Sequence, residues 1–260
     1  MKATGRASIA AFICYLSVVA PASATVSLTV EPLVAEFNAP PGATGRFPVF
    51  VSNTGTTPER IAIRKTDWRT LADGSTALEK VGAEGAHSIT RDLSLSAYQF
   101  VLQPGERREL SLVLSVPESL SPAPNSYWGG FLVSGNEVDA PPSAVGIAAT
   151  VFVYNNVGSP RRHLGLQSMR VVTRPQGSDL VVRLRNDAQG YCRPSAHLLV
   201  EQYGRIVRDQ KIDVSTVFPN STRIIIERLG KLAAGDYRVE LTLEYGGDTV
   251  IDGITQAHVH

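Results

Sequence analysis

The stretch Pro124-Asn125-Ser126-Tyr127-Trp128-Gly129-Gly130-Phe131-Leu132-Val133 (PNSYWGGFLV) sets two large rings beside two glycines at the head of an apolar run. Glycine inside a strand marks a bulge or the close approach of a neighbour. The stretch therefore reads as the entrance of a buried strand, with Tyr127 and Trp128 as packing residues. The competing reading is a ligand platform with Trp128 turned outward.

Around this stretch, apolar and polar residues alternate in short segments: 26–30, 47–51, 61–63 and 110–116 before it, then 145–154, 180–184, 198–200, 224–226 and 237–243 after it. Period-two alternation between Gly, Pro, Asn and Ser clusters predicts strands with one buried face. No sustained helical period is present, although a short helical turn is expected near Pro117–Leu120. The run ending at Tyr154 is followed by Asn155-Asn156-Val157-Gly158-Ser159-Pro160-Arg161-Arg162, a polar break of the kind that separates domains.

Across that break the chain repeats itself weakly. Val49–Asn53 matches Val182–Asn186, each an alternating strand that ends on Asn. Leu102-Gln103-Pro104-Gly105 matches Val217-Phe218-Pro219-Asn220, each placed before a strand. Tyr127 matches Tyr237, which follows Leu232-Ala233-Ala234-Gly235-Asp236. A Tyr at the start of a late central strand, with its hydroxyl turned back onto the preceding loop, is the tyrosine corner of immunoglobulin-like sandwiches. The expected fold is all-β, two tandem immunoglobulin-like β-sandwich domains over about 25–157 and 163–260. Tyr127, Trp128 and Tyr237 are read as structural residues.

The chain begins with Lys2 and Arg6, an apolar core from Ile9 to Ala20, and Pro21-Ala22-Ser23-Ala24. This is the pattern of a cleaved signal peptide over 1–24, so a periplasmic or secreted protein of the cell envelope is expected. The apolar core is short of the roughly 20 residues that a membrane span needs. Basic and acidic residues number 25 and 24, and such a balance offers no electrostatic attraction to nucleic acid or anionic lipid. Cys14 lies in the leader, leaving Cys192 as the sole mature thiol, so the core must stabilise the protein without a disulfide.

The early strand, Phe100-Val101-Leu102-Gln103-Pro104-Gly105-Glu106, the Tyr127–Val133 segment and the long strand from Val145 together resemble the amino-terminal domain of periplasmic pilus-assembly chaperones. The two-sandwich layout also resembles, more weakly, cell-wall proteins that accompany WxL-domain proteins. The chaperone resemblance implies a noncatalytic protein that lends the backbone of an exposed strand to a protein partner in the envelope, a pilus-type subunit among the candidates. It also implies two basic residues that anchor a carboxylate in the interdomain cleft. At the corresponding positions this chain has Val34 and Val151, and valine cannot hold a buried anion.

Strand addition joins main-chain hydrogen bonds to alternate side chains. The candidate partner face is therefore Val145, Ile147, Ala149, Val151 and Val153, which share one side of the long strand. The same face could instead fill the sandwich core. An envelope structural or adhesive module that binds a surface polymer or another envelope protein is the alternative function.

Little else suggests chemistry, and neither catalysis, a cofactor nor a metal is expected. His87, His163 and His197 are scattered, and His258 and His260 form a terminal pair that reads as a solvated tail. Cys192, beside Arg193, has no recognisable base. Asp67 next to Trp68 lacks a carboxylate partner, and Arg161–Arg162 reads as a hinge or as a lining of the cleft.

Overall fold

The computed structural model describes residues 27–141 and 146–259, so the leader, Val26, Val145 and His260 lie outside the described residues. Among the described residues the first half comprises β1 (Leu28–Glu31), β2 (Val34–Phe37), β3 (Thr44–Asn53), β4 (Glu59–Thr70), β5 (Thr76–Glu79), β6 (Leu93–Leu95), β7 (Gln99–Leu102), β8 (Arg107–Ser115), β9 (Asn125–Glu137) and β10 (Ile147–Val157). The second half comprises β11 (Leu164–Arg174), β12 (Gly177–Asn186), β13 (Ser195–Gln202), β14 (Arg205–Asp213), β15 (Thr222–Gly230), β16 (Gly235–Glu244) and β17 (Ile251–Val259).

The strands pair as two immunoglobulin-like sandwiches. In the first, the sheet β1-β3-β8-β6 packs on β2-β10-β9-β4-β5, with β7 also paired to β4. In the second, β11-β12-β15 packs on β14-β13-β16-β17. Alternation explains each core. Val49, Val51, Leu110, Leu112 and Leu114 from one sheet meet Ile61, Ile63, Phe131, Val133, Val151 and Val153 from the other. Leu180, Val182 and Leu184 meet Leu198, Val200, Val239, Leu241 and Leu243 in the second half. Each fully buried side chain of this size contributes about 1.5–3 kcal/mol.

Two local expectations need correction. The long strand does not stop at Tyr154 but runs to Val157, because the asparagines read as turn formers are buried and bonded. The Asn155 amide donates to the Ala39 carbonyl at 3.0 Å and accepts from the Ala39 N–H at 2.8 Å. The Ser126 hydroxyl donates to Asn156 at 2.7 Å. Near Pro117–Leu120 there is a single turn, closed by Leu120 N–H to the Pro117 carbonyl at 3.1 Å. The short 3₁₀ turns fall instead at Gly85–His87 and Thr90–Asp92.

The weak repeat has a physical basis in two buried asparagines, Asn53 and Asn186, both with zero exposure. The Asn53 amide donates to the carbonyls of Thr57 (2.8 Å) and Leu102 (3.2 Å), and its oxygen accepts from Gly55 N–H (2.8 Å). The Asn186 amide donates to Gly190 (2.8 Å) and Val217 (2.9 Å), and its oxygen accepts from Ala188 N–H (3.0 Å). Each side chain thus ties the end of its strand to its own turn and to a distant segment. The backbone N–H groups are used alike, Asn53 to Glu106 and Asn186 to Ser221, each at 3.0 Å. Gly105 (φ 76°) and Asn220 (φ 57°) supply the left-handed turn in the distant segment, a conformation that suits glycine and asparagine.

The two tyrosines diverge. Tyr237 forms the corner, its hydroxyl donating to the Ala233 carbonyl at 2.9 Å. Tyr127 is buried in the first core, yet among the described residues its hydroxyl has no loop carbonyl as partner; it lines an open cavity of about 500 Å³ with Pro124, Arg161 and Gln189. Its preceding loop is turned toward the second half, where Ser126 N–H reaches the Gln189 carbonyl at 3.3 Å.

In urea unfolding, Asn53→Ala and Asn186→Ala should each destabilise their own sandwich by about 1–3 kcal/mol, since each leaves buried backbone groups unpaired. Tyr237→Phe should cost about 0.5–1.5 kcal/mol, whereas Tyr127→Phe should remain within about 0.5 kcal/mol of the parent. Equal losses for the two tyrosines would contradict the assigned difference.

Candidate functional site

β10 carries the candidate site, and its surroundings follow from its pairing. It is antiparallel to β9 along its whole length, Ile147 opposite Gly135 through Val157 opposite Asn125. On its other side it meets β2 only from Phe152 to Asn155, in parallel. Ile147–Val151 therefore has no strand neighbour on that side among the described residues. Phe152 N–H donates outward to the Leu33 carbonyl at 2.8 Å. Because backbone groups alternate sides along a strand, the N–H and C=O groups of Ala148 and Thr150 point to the same open edge. Leu33 and Val34, 45% and 37% exposed, lie at the end of that edge.

The side chains differ from the expected partner face. Val145 is outside the described residues. Val151 and Val153 are 1% and 0% exposed inside the first core, so they are unavailable to a partner. The inward face of β10 is used to close the sandwich. Ile147 is half-buried, as is Ala149, which packs against the rim of the core. What the edge offers is main chain, flanked by this partly covered rim.

Below the open edge, the outward face of the same sheet bears Trp68, Trp128, Phe152 and Tyr154. Trp128 is neither first-sandwich core nor ligand platform. It lies on the outward side of β9, 3% exposed, between His87 (4.8 Å, stacked) and Phe218 of the second half (4.3 Å). Trp68 packs on Phe152 at 4.4 Å and on Phe218 at 5.0 Å, and its indole N–H donates to the Gly129 carbonyl at 2.9 Å. The paired glycines give room for these approaches. A side chain at Gly130 would meet the Val151 carbonyl at 2.5 Å, and one at Gly129 would strike Thr90.

Asp67 holds the loop that reaches Gly129. Fully buried, it accepts from Gly82 N–H (2.7 Å), Glu84 N–H (3.2 Å), the Ser88 hydroxyl (2.7 Å) and the Thr90 hydroxyl. Such donors satisfy a buried carboxylate, which makes Asp67 a structural residue.

The seam between the halves continues with polar contacts. Ile224 N–H donates to the Ala72 carbonyl at 2.7 Å. Arg223, 3% exposed, donates to the carbonyls of Leu71 (2.5 Å) and Thr216 (2.8 Å). At the cleft beside β2, the Arg193 guanidinium pairs with Glu36 and lies over the Tyr154 ring at 4.1 Å. The Tyr191 hydroxyl donates to Glu36 at 3.1 Å, and the Tyr154 hydroxyl meets Thr216 at 3.0 Å. Burial raises both tyrosine pKa values, so the cleft holds neutral hydroxyls beside one ion pair.

Val34 and Val151 place no charge in the cleft. The guanidinium beside β2, that of Arg193, comes from the second half and is paired with Glu36. Arg162 lies 5.7 Å from the Tyr191 ring, while Arg161 is exposed at the junction.

Cys192 is buried, and its pKa is pushed up to about 11 by that burial. A thiol held protonated is a poor nucleophile. His258 meets Asp236 at 2.6 Å on the surface. Among the described residues, no group of three metal-ligating side chains is found, and no helix is long and apolar enough to cross a membrane.

No family model matches the chain, and no curated protein does. Similar solved structures include the YadV chaperone, at 13% identity and a TM-score of 0.46 over 88% of this chain and 99% of that one. A chain of the CsuC-CsuE chaperone-tip adhesion subunit complex from Acinetobacter baumannii has 15% identity and a TM-score of 0.46, over 88% and 97%. A chain of the Salmonella enterica SafA pilin complex with the SafB chaperone has 14% identity and a TM-score of 0.46, over 92% and 99%.

Phe218→Ala should open the seam, costing about 3–5 kcal/mol. Cys192 packs in the second core beside the seam, where it and Val217, the neighbour of Phe218, exchange backbone bonds at 3.0 and 2.8 Å, and it reports on that core. The native thiol should resist a disulfide reagent at pH 8, and Phe218→Ala should speed its labelling. Rapid labelling of the parent would contradict a closed second core around Cys192.

Proposed function

We propose that this protein is an exported, noncatalytic binding module of the cell envelope that captures a protein partner, of the pilus-subunit type, by β-strand addition to β10. The observation that carries this reading is the open main-chain edge at Ala148 and Thr150, beside a rim formed by Leu33, Val34, Ile147 and Ala149. An added strand would pair with that edge and cover the rim. The seam supports the reading by bracing the lower half of the same sheet, so that partner binding need not order the strand first. The resemblance of 25–157 to pilus-assembly chaperones points the same way.

A second reading, an envelope structural or adhesive module, is favoured by one observation: valine occupies both positions where the chaperone resemblance implies a basic anchor. Under it, β10 is a protected edge of a rigid double sandwich and accepts no strand.

Proline substitution separates the two. Proline is tolerated in a strand where its missing N–H faces an open edge, so Ala148→Pro and Thr150→Pro should fold, whereas Ala149→Pro should disrupt the ladder to β9. With a photo-crosslinking residue at Leu33 and the protein expressed in its own envelope, the parent should give a discrete protein adduct. That adduct should fall at least tenfold in folded Ala148→Pro and Thr150→Pro. Undiminished adduct in both variants would reject strand addition and favour the structural module.

A further inference from the structure

The far end of the second sandwich carries a feature that stability does not explain. β13 and β14 are joined by the two-residue turn Tyr203-Gly204, with φ of 51° and 75°. Two successive positive φ values make this a tight hairpin turn that normally selects Asn-Gly or Asp-Gly. Tyr203 is a bulky side chain in a conformation it adopts at a cost, and it is 78% exposed. The position thus carries backbone strain without a burial gain, and strain kept at an exposed residue points to function.

The ring is also seated. A side chain on Gly235 would come within 2.6 Å of the Tyr203 hydroxyl oxygen, so the hydroxyl end rests against a bare stretch of β16. Beside it is an open cavity of about 710 Å³ lined by Glu201, Asp236, Arg238, Gln256 and His258. Glu201, Arg238 and Gln256 are cross-strand neighbours and form a row. Arg238 donates to Glu201 at 3.2 Å, and His258 meets Asp236 at 2.6 Å.

We infer that this tip binds a neutral oligosaccharide. Sugar hydroxyls both donate and accept, and the row offers carboxylate acceptors, guanidinium donors and an amide that does both. The aliphatic face of a pyranose can lie on an aromatic ring, and Tyr203 presents an exposed one. The carboxylates of Glu201 and Asp236 outnumber the one guanidinium of the row, Arg238, which gives no net attraction for an acidic glycan. The site shares no residue with the β10 edge and does not depend on the strand-addition reading.

Tyr203→Asn is the decisive variant, because asparagine suits positive φ before glycine. It should melt at the same temperature or higher. Maltotetraose and tetra-N-acetylchitotetraose, each titrated into the full protein to millimolar concentration, should between them give saturable amide shifts confined to residues 201–204, 236–238 and 256–258. Tyr203→Asn should weaken that binding at least tenfold. Absence of shifts with both sugars, or binding that survives in Tyr203→Asn, would overturn the proposal. Loss of the β10 adduct in Tyr203→Asn without sugar binding would make Tyr203 a protein contact and overturn it equally.

Discussion

A buried primary amide is costly unless its donors and acceptor are met, and the architecture is arranged around two of them. Asn53 and Asn186 end equivalent strands, and each binds a carbonyl four residues on and another carried by a segment far along the chain, Leu102 or Val217. These bonds fix where each strand stops and which loop crosses its end. The left-handed turns at Gly105 and Asn220 are then needed to bring the crossing segments back into their next strands. Val217 also pairs with Cys192, and its neighbour Phe218 enters the seam. The second amide therefore helps to set the surface that receives the first sandwich.

That surface determines what remains free. Trp68, Trp128, Phe152 and Tyr154 face outward from one sheet of the first sandwich, and an uncovered aromatic row of this size would be a sticky patch. Phe218 and Tyr191 cover it, with Arg223 and the Ile224–Ala72 bond locking the approach. The second sandwich thus shields the outward face of the lower half of β10, and among the described residues the upper half pairs with β9 alone. Open edges are normally blunted or covered, and here the edge is kept open beside an apolar rim.

Much of the fold is legible in the chain because period two is a local signal. Strands, their inward faces and the repeat through Asn53 and Asn186 follow from spacing. The site is less legible for three physical reasons. Asn155 and Asn156 look like turn formers until Ala39 and Ser126 satisfy them, and those partners are distant in sequence. Trp128 reads as core because burial is expected of tryptophan, and only its outward parity beside Gly130 hints at a seam. Most importantly, side-chain alternation locates faces and says nothing of edges. Val151 and Val153 share the expected face and belong to the core, whereas the groups that remain open among the described residues, at Ala148 and Thr150, are backbone.

Those backbone groups carry the proposed strand addition, and amide hydrogen exchange reads them one by one in the isolated protein. An open edge should give alternation along the upper half of β10: Ala149 and Val151 protected by the ladder to β9, Ala148 and Thr150 exchanging as open backbone. Uniform protection from Ala148 through Val151 would show that the edge is already occupied and would contradict strand addition to it.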